Sequence, residues 1–221
     1  MLKSKVIFIT ATDTAVGKTV TAFVVGVLLE NLGFDVGVMK PVQCAGNDAQ
    51  FLKKALRLQE ELREINPFYA PEPLSPHLAF RRAKIKFDKR RVQDELEKLR
   101  ARLDIVLVEG AGGLMVPLTN GYYNADLITD LKARVIIVAR LGLGTINHTL
   151  LTIHEAQKRG LMIMGLIFCQ TKPVRKGLPE NTNPQEIEKL SGVKVLGIIP
   201  YLKPLNRKNI LRRCQNLKPN V

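Results

Sequence analysis

The chain has 221 residues, of which 46% are hydrophobic, and this fits a globular protein with one substantial core. Its apolar runs stay below the ~20 residues of a spanning helix, and the short apolar stretch behind the basic N-terminus lacks a cleavage site, so we expect neither membrane insertion nor export and predict a cytoplasmic protein. Three widely spaced cysteines argue against a disulfide framework, and the net charge of +14 leaves nucleic acid, an anionic surface or small anionic substrates as possible partners.

A phosphate-binding loop is predicted directly after the first strand. Val6–Ile9 is a short apolar run typical of a strand buried on both faces, and Gly17, Lys18 and Thr19 follow a turn of small residues. Glycine lets backbone amides approach a phosphate, lysine supplies a cation, and threonine offers a hydroxyl to Mg²⁺. Thr12 stands where the usual pattern has glycine, so the prediction depends on the strand, turn and helix order. A strand-to-helix turn with a surface lysine is the structural alternative.

Two further polar side chains follow the second predicted strand, Asp35–Met39. Lys40, held by Pro41, stands at the carboxyl end of this strand, where open α/β sheets place groups that face a ligand. An ordinary surface lysine would fit the same position. Asp48 begins a predicted amphipathic helix, where an acid also suits the helix dipole.

The middle of the chain combines prolines with basic residues. Asn66–Pro76 holds four prolines and is predicted to be an irregular loop, while Asp88–Arg102 is predicted to be a helix. Much of the positive charge lies in Arg81–Arg91 and Lys203–Arg213. Neither segment has the aromatic interleaving of a single-strand binder, so we interpret both as solvated faces and expect no nucleic-acid partner, with a polyanion site as the alternative.

A second half of a nucleotide site is predicted after Leu103–Val108, another buried strand. Glu109 stands at its tip and is followed by the small residues Gly110–Gly113. An acid at this place can hold or orient Mg²⁺ across from a phosphate loop, and small residues allow close backbone approach. A glycine-rich turn with an incidental glutamate is the alternative.

Three more strands are predicted at Arg134–Ala139, Leu161–Cys169 and Val193–Ile199. Thr145 is predicted to cap the helix after the first of them, and Thr171–Pro184 is predicted to be a polar loop. Strands that alternate with helices imply a three-layer α/β fold, with a mostly parallel central sheet and helices on both faces. No internal repeat or boundary divides the chain, so we predict one domain over all 221 residues.

Several separated segments together resemble the ATP-dependent dethiobiotin synthetases, which have the phosphate-loop NTPase fold. The matching stretches are Thr12–Thr19, Met39–Val42, Asn47–Ala49, Asn66–Pro67, Glu72–His77, Glu109–Pro117, Ala125–Asp126 and Leu143–Leu150. The resemblance implies a cyclo-ligase of biotin biosynthesis that forms C–N bonds. It also implies a homodimer that binds 7,8-diaminononanoate, CO₂ or bicarbonate, and ATP with Mg²⁺.

The same resemblance implies roles for individual residues. The catalytic lysines are Lys18 and Lys40. The implied Mg²⁺ ligands are Thr19, Asp48 and Glu109. The implied substrate contacts are Lys40, Cys44, Gly144, Thr145 and Asn147, of which the last three act across the dimer interface. The implied nucleotide contacts are Ala15, Val16, Gly17, Lys18, Thr19, Val20, Asp48, Glu109, Gly110, Ala111, Gly112, Cys169, Gln170, Pro200, Tyr201 and Leu202.

The chain departs from the family pattern at three places. Ala11 stands where the family usually has glycine, Cys44 where it often has serine, and Cys169 where it usually has a base-recognising asparagine. Cysteine is a poor partner for the adenine edge. Either Gln170 reads the base instead, or the enzyme discriminates weakly among nucleoside triphosphates.

Two other kinds of enzyme share features of this pattern. A cobyrinic acid synthase-like amide ligase would share the fold but would continue into a glutamine-hydrolysing domain. A partition-type regulatory ATPase would carry an extra lysine in its phosphate loop, where this chain has Asp13.

Overall fold

The computed structural model describes residues 5–173 and 177–219. The strands within these ranges are Lys5–Ala11 (β1), Val36–Met39 (β2), Val42–Cys44 (β3), Phe68–Ala70 (β4), Ile105–Glu109 (β5), Pro117–Thr119 (β6), Tyr122–Tyr123 (β7), Arg134–Ala139 (β8), Ile163–Cys169 (β9) and Val195–Ile199 (β10). The helices are Lys18–Asn31 (α1), Asp48–Leu56 (α2), Leu62–Ile65 (α3), Pro76–Ala83 (α4), Lys89–Arg100 (α5), Asn124–Asp130 (α6), Thr145–Lys158 (α7), Leu178–Ser191 (α8) and Arg207–Arg213 (α9).

The central sheet has six strands in the order β10-β9-β8-β1-β5-β2, and every pair in it is parallel. Strand β1 lies in the middle, where Ile9 is in register with Glu109 of β5 on one side and with Ile136 of β8 on the other. Parallel neighbours require crossover connections, which the helices provide. The predicted parallel α/β sheet is confirmed.

Side chains of β1 alternate between two apolar cores, one on each face of the sheet. Ile7 and Ile9 pack in the core that includes residues of α1, whereas Val6 and Phe8 pack in the core that includes residues of α5. All four are buried. A sheet covered by helices on both faces explains why its strands are nearly continuous apolar runs, and it confirms the predicted three layers.

The predicted irregular loop at Asn66–Pro76 is wrong in part. Strand β4 lies inside it and pairs in parallel with β3, and Pro76 is the first residue of α4. Phe68 and Ala70 point inward from β4, so burial outweighs the flanking prolines. A proline at the first helical position lacks only an N–H group that would have no partner there, so Pro76 starts the helix without a penalty.

The predicted loop at Thr171–Pro184 is also wrong over its second half, because α8 begins at Leu178; residues 174–176 lie outside the described ranges. Pro179 lies in the first turn of this helix, where proline is tolerated. Pro184 lies inside the helix and is buried together with Ile187. Packing of this face therefore compensates for the hydrogen bond that Pro184 cannot make.

The predicted cap of α7 is shifted by one residue. Gly144, with φ +87°, is the N-cap, and Thr145 is the first helical residue. The left-handed backbone at the cap favours glycine over threonine. Thr145 is buried, and its hydroxyl lies 3.3 Å from that of Thr149.

The basic segment from Arg81 to Arg91 covers the end of α4 and the start of α5. Arg82 pairs with Glu72 and Lys89 with Asp130, in ion pairs that are at least partly exposed.

None of the helices in the described ranges has the length and apolarity needed to cross a membrane.

Candidate active site

A cavity of about 610 Å³ opens at the carboxyl edge of the sheet, where β1, β2 and β5 end. Eleven residues predicted for the site line it: Ala15, Gly17, Lys18, Thr19, Val20, Lys40, Cys44, Asp48, Glu109, Ala111 and Gly112. They come from three separate segments of the chain, which meet because parallel strands end on the same side of the sheet.

The loop between β1 and α1 has the backbone of an anion-binding turn. Ala15 and Gly17 have φ angles of +57° and +103°, and α1 begins at Lys18 with its free amides directed toward the loop. A Cβ atom on Gly17 would lie 2.5 Å from Sγ of Cys169, so only glycine fits. Lys18 folds back across the loop, and its Nζ donates to the carbonyl oxygen of Asp13 at 3.1 Å.

Lys40 lies at the centre of an ion-pair network in the cavity. Its Nζ donates to Oε1 of Glu109 at 2.5 Å and to Oδ2 of Asp48 at 2.9 Å. The hydroxyl of Thr19 donates to the same Glu109 oxygen at 2.8 Å. The side chains of Lys40 and Glu109 are 4% and 1% exposed, whereas that of Asp48 is 42% exposed. The Lys40 ammonium therefore balances two carboxylates, one deeply buried and one partly in solvent.

Burial acts on both lysines of the cavity, with opposite net results. For Lys40, burial alone lowers the pKa, but the charges and hydrogen bonds of Glu109 and Asp48 outweigh it and raise the pKa above its ordinary value. For Lys18, burial and then the Lys40 charge lower the pKa to about 8. Lys40 is thus a permanent cation at neutral pH, while Lys18 loses charge near pH 8 unless an anion compensates.

Oxygen donors for a Mg²⁺ ion are present beside Lys40. Oε2 of Glu109 is buried and has no hydrogen-bond partner among the described residues, so a bound cation would satisfy it. The Asp48 carboxylate and the Thr19 hydroxyl adjoin the same glutamate through the network above. Mg²⁺ prefers one or two carboxylates together with phosphate oxygens and water, and this donor set fits that preference. No group of three or more His, Cys, Asp or Glu residues in the described ranges forms a cage for a metal.

The turn after β5 brings the backbone close to the phosphate loop. A Cβ on Gly112, which has φ +68°, would lie 3.5 Å from Oγ1 of Thr14, and a Cβ on Gly113 would lie 3.2 Å from the carbonyl oxygen of Ala11. The amide of Asn124 donates to the carbonyls of Ala111 and Gly113 at 2.7 and 2.8 Å, which holds the turn in place. No sequence pattern singles out Asn124, because a lone asparagine at a helix start has many other roles.

The side-chain amides of Gln43 and Asn66 also hold backbone segments of the site in place. Gln43 is buried; its Nε2 donates to the carbonyl of Gly46 and its Oε1 accepts from the amide of Ala49, so it fixes the turn that leads into α2. Asn66 donates to the backbone carbonyl of Lys40 at 2.6 Å. No periodic pattern marks Gln43, whereas Asn66 lies in a segment that carries the family resemblance.

Cys44 and Cys169 have different positions relative to the cavity. Cys44 lines it, and burial, opposed by the Lys40 charge, raises the pKa of this thiol to about 11. Cys169 is buried behind Gly17, and burial raises its pKa to about 12. Both are therefore neutral thiols at neutral pH.

Most of the remaining predicted nucleotide contacts lie near the end of β9. Cys169 and Gln170 line a neighbouring recess of about 220 Å³, and Thr171 borders both spaces. The backbone amide of Gln170 donates to the carbonyl of Ile199, which places the end of β9 beside Pro200–Leu202. Leu202 is buried and Tyr201 is partly exposed. Val16 and Gly110 are buried and do not line the cavity.

The predicted substrate contacts on α7 are not in the cavity of the same chain. Gly144 and Asn147 are exposed, and neither they nor Thr145 line the cavity. Leu143, just before them, is 90% exposed. The start of this helix is therefore a surface feature of the single chain.

Comparisons with known proteins show which proteins the chain is similar to. A family model described as an AAA domain matches residues 5–209. The chain is 41% identical over 202 residues to an ATP-dependent dethiobiotin synthetase of Bacillus cereus, covering 89% of this chain and 83% of that protein. It is 36% identical over 195 residues to the synthetase of Methanococcus vannielii, covering 87% and 92%.

Solved structures with the same fold are more distant in sequence. The MinC:MinD cell division complex of Aquifex aeolicus aligns with a TM-score of 0.59 at 16% identity, covering 96% of this chain and 90% of that chain. The MinD protein of Pyrococcus horikoshii, solved with Mg-ADP, aligns with a TM-score of 0.59 at 18% identity, covering 99% and 90%. At these identities the likeness concerns the fold alone.

Proposed function

The chain belongs to the family of ATP-dependent dethiobiotin synthetases, and we propose that it makes dethiobiotin from 7,8-diaminononanoate, CO₂ or bicarbonate, and MgATP. It is accordingly a ligase that forms C–N bonds. One amine of the diamine takes up CO₂ as a carbamate, and the γ-phosphoryl group of ATP moves to a carbamate oxygen. The second amine then attacks the carbonyl carbon, phosphate leaves with the electrons of the broken C–O bond, and the five-membered urea closes.

The ion-pair network around Lys40 is the observation that carries this proposal. Phosphoryl transfer asks a protein mainly for positive charge and positioning around the moving group. Lys40 keeps its charge while 4% exposed, so its ammonium acts on a carbamate or phosphoryl oxygen with little competition from water. Lys18 and the α1 amides suit the remaining phosphates.

A magnesium ion would be held by Thr19, Asp48 and Glu109, and when bound it neutralises phosphate charge. The chain itself supplies the rest of the positioning. Lys40 contacts Asp48 and Glu109 in the protein alone, so we expect these contacts to be redistributed when both a cation and a polyanion enter. Holding both amines on one molecule in one cavity then favours ring closure.

We assign the carboxylate of the diamine to Gly144, Thr145 and Asn147 of a partner subunit in a homodimer. An exposed helix start with free amides suits a carboxylate, and it lies outside the cavity of its own chain. Mixing an inactive Lys40→Ala protein with an inactive Asn147→Ala protein tests this, because mixed dimers contain one intact site. Recovered activity supports the shared site, whereas two inactive variants that stay inactive after subunit exchange contradict it.

The overall reaction is tested by incubating the protein with diaminononanoate, ¹³C-bicarbonate and MgATP and following the products by mass spectrometry. We expect labelled dethiobiotin together with an equal amount of ADP, and none when any one reactant is omitted. Lys189→Ala is a matched control for Lys40→Ala, since Lys189 forms an exposed pair with Glu186 on α8. ATP hydrolysis that does not depend on the diamine, with no dethiobiotin, would instead favour a regulatory ATPase.

A further inference from the structure

The proline-rich wall of the cavity contains a hydroxyl and an imidazole to which the roles above assign no function. Oγ of Ser75 lies 3.0 Å from Nδ1 of His77. Ser75 lines the cavity together with Lys40 and Asp48, whereas His77 does not line it and is partly exposed. The hydroxyl thus stands between the reaction space and a titratable ring.

Helix capping does not account for the orientation of Ser75. This residue is the N-cap of α4, a position where a serine side chain usually accepts from a backbone amide. Its backbone carbonyl accepts from the amides of Leu78 and Ala79 at 2.9 Å, but its hydroxyl makes no capping bond. The contact to His77 is the only side-chain hydrogen bond of either residue within the described part of the chain. Ser75 is therefore oriented by the imidazole.

Ring closure under the proposed function requires a proton acceptor. An amine nitrogen that bonds to the carbonyl carbon carries a surplus hydrogen, which must leave to give a neutral urea. Lys40 stays a cation, a bound triphosphate would keep Lys18 protonated, and the carboxylates of Asp48 and Glu109 would serve Lys40 and the metal ion. A hydroxyl backed by a neutral imidazole can accept that hydrogen, provided that the ring carries its own hydrogen on Nε2.

We propose that Ser75 and His77 form a proton relay that serves ring closure, an inference that rests on the proposed function. As the N–C bond forms and phosphate departs, the amine passes its hydrogen to Oγ of Ser75. The serine passes its own hydrogen to Nδ1 of His77, and the resulting imidazolium loses a proton to water on its exposed side. Ser75 touches the substrate, and His77 acts through Ser75.

His77→Asn separates a relay from a merely structural contact. Asparagine can still accept the Ser75 hydroxyl, but it cannot take up a proton at neutral pH. We expect dethiobiotin formation to fall about a hundredfold, in line with the loss of general base catalysis. ADP release should fall less, because the phosphorylated carbamate then hydrolyses, so the ratio of dethiobiotin to ADP should drop. His154→Asn, on the exposed face of α7, is the matched control and should match wild type.

Two further variants complete the test. His77→Ala should recover part of its ring-closure rate when imidazole is added to the buffer. Ser75→Ala combined with His77→Asn should be no slower than the worse single variant, since both interrupt one path. Unfolding midpoints equal to that of wild type show that each variant is folded.

The results of these variants either support or overturn the relay. A dethiobiotin to ADP ratio unchanged in His77→Asn overturns the relay, as does a His77→Ala rate that imidazole does not raise. If the wild-type protein forms no dethiobiotin, the proposed function fails first and the relay fails with it. If the wild-type protein forms dethiobiotin and only these variants lose coupling, both proposals stand.

Discussion

Replacing Lys40 by methionine removes an ammonium and keeps an unbranched side chain of similar length. The change leaves Glu109, 1% exposed, without its main counter-ion, whereas Asp48 is open enough to be hydrated. Breaking a buried ion pair costs about 3–5 kcal/mol. Thr19 still donates to Glu109, and the Lys18 charge acts on the same site, so we expect the lower end, about 3 kcal/mol.

Urea unfolding of the metal-free protein measures this loss. With a slope of about 3 kcal/mol/M, the midpoint should fall by about 1 M. Adding Glu109→Gln to Lys40→Met should recover most of the stability, because the buried charge is then gone. Lys189→Met, which breaks the exposed pair with Glu186, should cost less than about 0.5 kcal/mol.

The contribution of Lys40 to folding stability should fall as the pH rises. Since the folded state raises the pKa of Lys40, the stabilisation is complete below the unfolded value of 10.5 and is lost as pH rises through the folded value. A Lys40→Met variant as stable as wild type, or a double variant less stable than the single one, would refute the reasoning.

Other consequences of the site can be measured separately. Lys18→Ala should weaken both MgATP binding and turnover, whereas Lys40→Ala should lower turnover about a hundredfold and MgATP binding only a few-fold. Calorimetry measures the binding and steady-state kinetics the turnover; equal losses of MgATP affinity in the two variants would contradict this prediction. Because the pKa of Lys18 is about 8, a bound triphosphate should raise it and draw in roughly half a proton at pH 8; binding heats independent of buffer ionisation would argue otherwise. Gly17→Ala should cost about 2–4 kcal/mol of unfolding free energy, given its φ of +103° and a new contact 2.5 Å from Cys169 Sγ; Cys169→Gly should restore part of it, and an unchanged midpoint would count against the close approach. Gln170→Ala should abolish any preference for ATP over CTP and GTP in kcat/KM, and a preference that survives would assign base selection to other residues.

Buried parallel strands were the most predictable part of the fold. The strand predicted at Arg134–Ala139 has these same bounds in the structure, because an apolar, β-branched run between polar ends has no comparable helical pattern. The same reasoning brought Lys40 and Glu109 to one edge, since parallel strands place their carboxyl ends together. What it could not supply is the contact between them, which joins residues from two different crossovers.

The parts that were not predicted depend on tertiary packing. Pro184 lies in a helix because its buried face compensates for the missing bond, and no local rule weighs that gain. Gln43 and Asn124 hold the two turns of the site through single amides that lack any periodic signal. Phe68 forms a strand between prolines only because β3 is there to pair with it.

The central place of β1 has a consequence for synthesis on the ribosome. Residues 5–11 and the phosphate loop are synthesised well before β8, a neighbour of β1 that follows more than 120 residues later, and before Cys169, on which Gly17 packs. A nascent chain that already displays its complete phosphate-loop motif therefore still lacks one of the two strands that flank β1, and premature termination before β8 yields a fragment that has the motif but neither β8 nor the Cys169 contact to support it.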